Sequence, residues 1–187
     1  MHNRYLLMRH GHSQANARGL IISSPERGLD DFGLSPRGEA QLEGLLADWT
    51  WPTPTRLLHS DFLRTTQTAA RVAARFGLAL EAETRLRERH FGDLEGGTDD
   101  GYGRVWAHDA HDPAHGEYGV EPVAAVARRM REVIDALERR HAGETILLVS
   151  HGDPLQILLT ALEGRALTGH REREPLAPAS ITPWGQA

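Results

Sequence analysis

The 187-residue chain contains neither cysteine nor lysine. Without cysteine it can form no disulfide, thiolate metal site, iron–sulfur cluster or cysteine nucleophile. Without lysine it can use neither Schiff-base chemistry nor a Walker-type phosphate lysine. All 21 basic residues are therefore arginines, and the planar guanidinium group matches the geometry of phosphate and carboxylate.

Long apolar runs and an excess of positive charge are also missing. No stretch approaches the about 20 apolar residues that a membrane helix requires. The first ten residues lack the basic flank and the cleavage site of a secretion signal. The net charge is −5, and no basic stripe is available for a nucleic-acid backbone. We therefore expect a cytoplasmic protein that binds neither nucleic acid nor membrane.

The length and the hydrophobic pattern predict a single domain over residues 1–187. Short apolar runs alternate with segments of helical periodicity, which is typical of α/β proteins. Strands are predicted at 4–8, 55–59, 78–81, 145–149 and, at a sheet edge, 180–184. Helices are predicted for about four turns after Ser35, which is the expected N-cap, and up to residue 76 with Ser60 or Asp61 as the cap. Two further helices are predicted over 121–141 and 153–162. The segment 84–119 is rich in glycine, aspartate and histidine and predicts mostly loop, with a candidate lid or insertion at about 95–120.

Two of the predicted strands are followed by similar tripeptides. Arg9-His10-Gly11 follows the first strand, and Ser150-His151-Gly152 follows the strand at 145–149. Because the carboxyl ends of parallel strands form the ligand crevice of an α/β sheet, both histidines are expected at one edge. Arg64, in the first turn of the helix after the second strand, is expected at the same edge. Helix N-termini favour anions, so the pattern predicts a phosphate site.

Each of these residues also has a structural interpretation. A lone histidine at a strand end is usually a loop or capping residue, and a helical arginine is usually solvent-exposed. The repeated strand-His-Gly pattern, with Arg9 directly before His10, favours the functional interpretation. His108, His111 and His115 are residue types that bind metals, but the surrounding Asp-Pro and glycine residues favour a flexible loop, with a metal site or a substrate contact as alternatives.

Five ordered segments resemble the histidine phosphatase superfamily, whose fold is phosphoglycerate mutase-like. The segments are 8–16 (MRHGHSQAN), 34–41 (LSPRGEAQ), 60–69 (SDFLRTTQTA), 86–96 (LRERHFGDLEG) and 150–152 (SHG). The resemblance extends from residue 5 to about residue 162. It implies an α/β fold of three layers, α/β/α, with a mostly parallel central sheet.

The resemblance also implies roles for individual residues. His10 is the residue that becomes phosphorylated, and Glu88 is the proton donor. The catalytic residues implied are His10, Glu88, His151, Arg9 and Arg64. The phosphate-binding residues implied are Arg9, Gly11, Asn16, Arg64 and a protonated His151. The candidates for binding the rest of the substrate are Arg89, Tyr102 and Arg104.

The function implied is metal-independent hydrolysis of small phosphomonoesters through a phosphohistidine, without a cofactor, so the expected partner is a small phosphorylated metabolite. A phosphoglycerate mutase-type phosphotransferase is one alternative, because the segment 88–92 (ERHFG) resembles the mutase version. A weakly active regulator that binds a phosphorylated ligand is another. The sequence departs from the family at His12, where many members have glutamate, and at Pro122, where many have serine. The oligomeric state is left open, with a homodimer as one option.

Overall fold

A five-stranded sheet forms the centre of the computed structural model, which describes residues 1–185. The strands are β1 (Arg4–Arg9), β2 (Arg56–His59), β3 (Glu81–Ala82), β4 (Thr145–Ser150) and β5 (Ile181–Gly185). Their order across the sheet is β3-β2-β4-β1-β5. The first four strands run parallel, and β5 pairs antiparallel with β1 at one edge. The prediction of a mostly parallel sheet with a late edge strand is confirmed.

Helices cover both faces of the sheet. Within residues 1–185 the α-helices are α1 (Gln14–Arg18), α2 (Pro25–Gly28), α3 (Pro36–Ala47), α4 (Leu63–Phe76), α5 (Tyr102–Asp109), α6 (Val123–Arg140) and α7 (Gly152–Leu162). Short 3₁₀ helices span Thr84–Leu86, Gly92–Leu94, Asp99–Gly101, Glu117–Gly119 and Leu167–Glu172. None of the helices described is long and apolar enough to cross a membrane.

The alternation of side chains along β1 shows how the layers are assembled. Tyr5 and Leu7 pack in one apolar cluster with α6 and α7, whereas Leu6 and Met8 pack in another with α3 and α4. Successive residues of a strand point to opposite faces, so a strand covered on both sides must be apolar throughout. The sheet therefore lies between two helical layers, and the predicted α/β/α architecture is confirmed.

The helix boundaries follow local signals, with two differences. The Ser35 side chain accepts a hydrogen bond from Gly38 N and caps α3 as predicted, but the helix has 12 residues and is shorter than expected. The predicted cap of α4 at Ser60 or Asp61 is wrong. The N-cap residue is Phe62, because Asp61 forms a bidentate ion pair with Arg87 at 2.8 and 2.7 Å instead.

The segment 84–119 contains more regular structure than its composition predicts. It includes α5, whose sequence YGRVWAHD has weak intrinsic helix propensity. Tertiary contacts stabilise the helix, since Val105 is fully buried against Ile21, Phe91 and Val120. Movement of residues 95–120 as a lid stays a prediction, as does the single domain over 1–187.

Candidate active site

The register of the sheet places two histidines side by side. Arg9 and Ser150 are paired at the carboxyl ends of β1 and β4, so the next residues, His10 and His151, are neighbours. Their ring centroids are 5.3 Å apart, and both side chains are buried. His10 and His151 are far apart in sequence, but they meet at the sheet edge, as predicted.

His10 is held as a neutral ring with an unprotonated Nε2. Its Nδ1 lies 2.7 Å from the carbonyl oxygen of Gly11, which can only accept, so Nδ1 carries the hydrogen. Its Nε2 accepts a hydrogen bond from Arg64 Nε at 3.2 Å. Burial, together with the positive charges of Arg64 and Arg9, holds the pKa of His10 well below its usual range. Nε2 is therefore unprotonated at neutral pH, which is the form of imidazole that can act as a nucleophile.

Two arginines with incompletely paired guanidinium groups adjoin this ring. Arg64, in the first turn of α4, donates from Nη2 to the carbonyl of Ile22 at 2.9 Å, and its Nη2 lies 3.6 Å from Glu88 Oε2. Arg9 donates from Nη1 to the carbonyl of Leu176 at 2.6 Å. Arg64 Nη1 and Arg9 Nε are buried and have no hydrogen-bond partner in residues 1–185.

His151 presents a third buried donor. Its Nε2 lies 2.9 Å from Ser60 Oγ, which itself accepts from the backbone N–H of Phe62 at 3.4 Å. The hydroxyl hydrogen of Ser60 has no other acceptor among the described residues, so we assign the hydroxyl as the donor to Nε2, which leaves the ring hydrogen on Nδ1. Nδ1 has no hydrogen-bond partner among the described residues and lies 3.6 Å from Glu88 Oε2.

The charge of His151 differs from expectation. Burial, together with Arg64 and His10, holds the pKa of His151 well below its usual range. The imidazole is therefore neutral in this environment, which does not favour the expected protonated His151. The same ring can still donate from Nδ1, and a phosphate dianion beside it would raise the pKa of His151.

Glu88 is the titratable group of the site near neutrality. It lies on the chain segment after the 3₁₀ helix Thr84–Leu86, and its Oε1 accepts from Arg89 N at 2.9 Å. Burial raises the pKa of Glu88 to about 7, although Arg64 opposes the shift, and the nearby carboxylate of Asp153 adds to it. A carboxyl group with this pKa can both give and take a proton at physiological pH.

An open cleft leads from solvent to these groups. The predicted residues that line it are Arg9, His10, Asn16, Arg64, Glu88 and Tyr102, whereas His151 is fully buried and is not among the lining residues. Asn16 is oriented by the capping box of α1, in which its Oδ1 accepts from Ser13 N and Ser13 Oγ at 3.0 Å each. That arrangement leaves the amide Nδ2 of Asn16 as a donor.

Three predicted contacts are not supported. Gly11 does not line the cleft, and its N–H donates to Thr68 Oγ1 at 3.1 Å, so it is not available to a phosphate. Arg89 is fully buried and donates to both carboxylate oxygens of Asp109 at 2.7 and 2.8 Å, so it is structural. Arg104 lies outside the cleft lining, over the ring of Tyr118.

Several residues of the cleft wall were not predicted from the sequence. Among them, Trp106, Gln156 and Arg171 line it together with Tyr102. Gln156 follows His151 by little more than one helical turn on α7, which was the one local signal available. Arg171 and Trp106 come from segments interpreted as tail and loop, where no pattern indicates the direction of a side chain.

The histidine-rich segment receives no support as a metal site. The rings of His108 and His115 are 5.4 Å apart, and His115 Nε2 contacts Asp109 Oδ1 at 2.6 Å. Within residues 1–185, no group of three or more metal-binding side chains is arranged to hold an ion. His115 instead belongs to the buried polar network around Asp109.

A three-layer α/β/α fold with two adjacent histidines and two arginines at the carboxyl edge of its sheet defines a class of phosphoryl-transfer enzymes. The chain belongs to the histidine phosphatase superfamily (branch 1), whose sequence profile matches residues 5–184. It is an enzyme with phosphatase activity, a phosphoric monoester hydrolase of the histidine phosphatase type.

Curated relatives carry both phosphatase and mutase names. The chain is 30% identical over 171 residues to the glucosyl-3-phosphoglycerate phosphatase of Mycobacterium tuberculosis, covering 85% of this chain and 74% of that protein. It is 33% identical over 172 residues to a probable phosphoglycerate mutase GpmB of Yersinia enterocolitica, covering 89% and 77%.

A solved structure resembles this fold over almost its full length. The mycobacterial glucosyl-3-phosphoglycerate phosphatase in complex with VO3 superposes with a TM-score of 0.83 at 26% identity. The match covers 96% of this chain and 91% of that chain. The comparisons therefore support a phosphatase or mutase of the histidine phosphatase type for this chain, with the same fold as the mycobacterial enzyme.

Proposed function

We propose that the protein hydrolyses small phosphomonoesters through a phosphohistidine at His10, without a metal ion. One observation carries the proposal. Three buried donors, Arg9 Nε, Arg64 Nη1 and His151 Nδ1, have no hydrogen-bond partner in the described part of the chain. Buried donors are normally paired, and leaving one unpaired costs roughly 1–3 kcal/mol. A phosphoryl group at Nε2 of His10 would supply acceptor oxygens to all three.

The first half-reaction uses His10 and Glu88. The Nε2 lone pair attacks phosphorus, and the bond from phosphorus to the ester oxygen breaks. Arg64 Nε, which donates to Nε2 of His10 in this structure, transfers its hydrogen bond to a phosphoryl oxygen. Protonated Glu88 gives its proton to the leaving alkoxide, so the products are phosphohistidine, the alcohol and the Glu88 carboxylate.

The second half-reaction returns the site to its starting state. The Glu88 carboxylate takes a proton from a water molecule, whose oxygen attacks phosphorus. The nitrogen–phosphorus bond breaks, and inorganic phosphate leaves with the neutral His10 regenerated. The charge on the phosphoryl oxygens is neutralised by Arg9 and Arg64, and each preorganised donor of this kind typically contributes about 3–4 kcal/mol of transition-state stabilisation.

Trapping the intermediate tests the proposal. Brief reaction with a ³²P-labelled phosphomonoester in the presence of EDTA should leave acid-labile, base-stable label on His10. EDTA should not prevent labelling, because arginines rather than a metal ion neutralise the charge of the phosphoryl group. Peptide mapping after rapid quenching measures the position of the label.

The His10→Ala variant is the control, and it should lose both label and turnover while keeping the circular dichroism spectrum of the wild type. His59→Ala is a matched variant, because His59 is buried at the end of β2 but lies outside the cleft lining. It should still become labelled. Label on a serine or on His151, or activity lost in EDTA and restored by a divalent cation, would contradict the mechanism.

A further inference from the structure

A third arginine on the cleft wall has no role in the proposed reaction. Arg171 belongs to the 3₁₀ helix Leu167–Glu172, lines the cleft, and its side chain is 25% exposed. Its contacts within residues 1–185 are with Trp106, Asp153 and Gln156. It contacts neither His10 nor any other group that takes part in bond breaking.

The guanidinium group of Arg171 is held in one orientation. Its Cζ lies 3.7 Å from the centroid of the Trp106 ring, which is a close stacking contact. Its Nη1 lies 3.3 Å from Asp153 Oδ1 and also donates to Gln156 Oε1. A cation fixed in this way loses little conformational entropy when it binds a ligand.

The Nε and Nη2 edge of the Arg171 guanidinium group remains unpaired, and this is an edge that can donate to both oxygens of one carboxylate. In this chain, Arg87 donates from Nε and Nη2 to the two oxygens of Asp61 at 2.8 and 2.7 Å. The equivalent Nε and Nη2 of Arg171 have no hydrogen-bond partner among the described residues, and neither is an enclosed atom. Arg171 therefore offers one unused bidentate edge.

The charge of Arg171 is only partly neutralised by the protein. Asp153, its acidic contact, also lies 3.3 Å from Arg89 Nη1 and 3.3 Å from His170 Nε2. One carboxylate thus divides its charge among three partners. A further single negative charge beside Arg171 would be stabilised.

We propose that Arg171 determines substrate specificity by binding a carboxylate on the substrate whose phosphate lies at His10. The inference rests on the proposed phosphatase function and names its substrate class as phosphorylated carboxylic acids. One bidentate edge and one positive charge match a carboxylate.

A pair of substrates that differ in one group tests this role. 3-Phosphoglycerate has a carboxylate where glycerol 3-phosphate has a hydroxymethyl group. In Arg171→Met, which keeps an unbranched chain over Trp106, kcat/KM for 3-phosphoglycerate should fall about 10- to 100-fold, mainly through KM. The value for glycerol 3-phosphate should change less than about twofold. Arg171→Lys should lie between, because it keeps the charge without the paired donors.

The matched control is Arg173→Met, two residues along the chain. Arg173 pairs with Glu163 at 2.6 Å and does not line the cleft, so both substrates should keep their wild-type values. An equal loss for both substrates in Arg171→Met would overturn the carboxylate role, because it would place Arg171 in phosphate binding or in the structure of the cleft. Unchanged kinetics with both would remove it from the substrate site.

A binding measurement separates this inference from the proposed function. Titration calorimetry on His10→Ala, with and without Arg171→Met, gives dissociation constants that need no turnover. Arg171→Met should weaken binding of 3-phosphoglycerate about tenfold and leave binding of inorganic phosphate unchanged. Equal affinities for 3-phosphoglycerate in the two backgrounds would overturn the role of Arg171. A wild-type enzyme that releases phosphate from neither substrate would count against the proposed function alone.

Discussion

At the scale of single residues, the same burial has opposite effects on the two kinds of titratable group in the site. It lowers the pKa of His10 and His151 and raises the pKa of Glu88, because in each case the low dielectric disfavours the charged form. The result is a neutral nucleophile next to a carboxyl group that is protonated for part of the time at neutral pH. Both states are the ones that the proposed first half-reaction requires.

The role of Glu88 predicts a dependence on the leaving group. An alkoxide needs a proton in the transition state, whereas p-nitrophenolate leaves without one. Glu88→Gln should therefore slow phosphorylation of His10 by at least about 100-fold with an alkyl phosphate and much less with p-nitrophenyl phosphate. Rapid-quench single-turnover measurements give both rates. An equal loss with the two substrates would remove the acid role.

The same residue predicts the pH dependence of the first step. Glu88 must be protonated to act as an acid, so the phosphorylation rate with an alkyl phosphate should stay level below pH 7 and fall as the pH rises through about 7. His10 contributes no second limb near neutrality, because its pKa is held well below the usual value. The single-turnover rate as a function of pH, compared with that of Glu88→Gln, checks this. A rate that rises through pH 7 would contradict it.

At the scale of elements, α3 supports the loop that carries His10. Ser35 N donates to the carbonyl of His12 at 3.0 Å, and His12 N donates to Gln41 Oε1 at 2.9 Å. Gly38, in the first turn of α3, permits this approach, because a Cβ there would lie 2.0 Å from the His12 carbonyl oxygen. The atom that a Cβ would meet belongs to the backbone of His12, so the clash cannot be relieved by the movement of a side chain.

Two glycines of one helix provide a matched test of that contact. Gly38→Ala should lower the free energy of unfolding by about 1–3 kcal/mol, since the helix and the loop must separate. Gly44→Ala, also in α3, has no atom within 4 Å of its new Cβ and should raise stability by roughly 0.5–1 kcal/mol. Urea unfolding of the two variants measures both changes. A stabilising Gly38→Ala would contradict the predicted contact.

At the scale of the whole molecule, the site is an open cleft assembled from the ends of β1 and β4 and the first turn of α4. Phosphatases and mutases of this kind share the phosphohistidine step and differ in what reaches the phosphoryl group next. A mutase must keep water out while a second hydroxyl of the substrate is presented. The open cleft favours water as the acceptor, even when Arg171 orients a carboxylate.

We therefore predict hydrolysis rather than isomerisation. Incubation with 3-phosphoglycerate should release inorganic phosphate, with little or no 2-phosphoglycerate, and no bisphosphoglycerate primer should be needed. Phosphorus NMR resolves the three species in one sample, and glycerol 3-phosphate, which has no carboxylate, serves as the parallel hydrolysis control. Isomerisation faster than phosphate release, and dependent on the primer, would make the enzyme a mutase.

The sequence by itself determined four of the five strands, the helices α3, α4, α6 and α7, and the place of His10, Arg64 and His151 at the sheet edge, because those signals are local. The weak strand predicted at 78–81 lies instead at Glu81–Ala82. Apolar runs, proline at helix starts and a short motif after a strand are visible without knowledge of distant contacts. Glu88 came from the family resemblance, and only burial reveals the pKa of about 7.

Only the tertiary structure decided which remaining groups face the cleft. Arg89, next to Glu88 in sequence, turns inward because Asp109 pairs with it, whereas Arg171 reaches the cleft from the chain's late segment and stacks on Trp106. Helix α5 likewise forms because Val105 is buried, despite weak local propensity. The physical reason is the same in each case: a side chain's direction and partner depend on contacts between residues far apart in sequence, which no local pattern records.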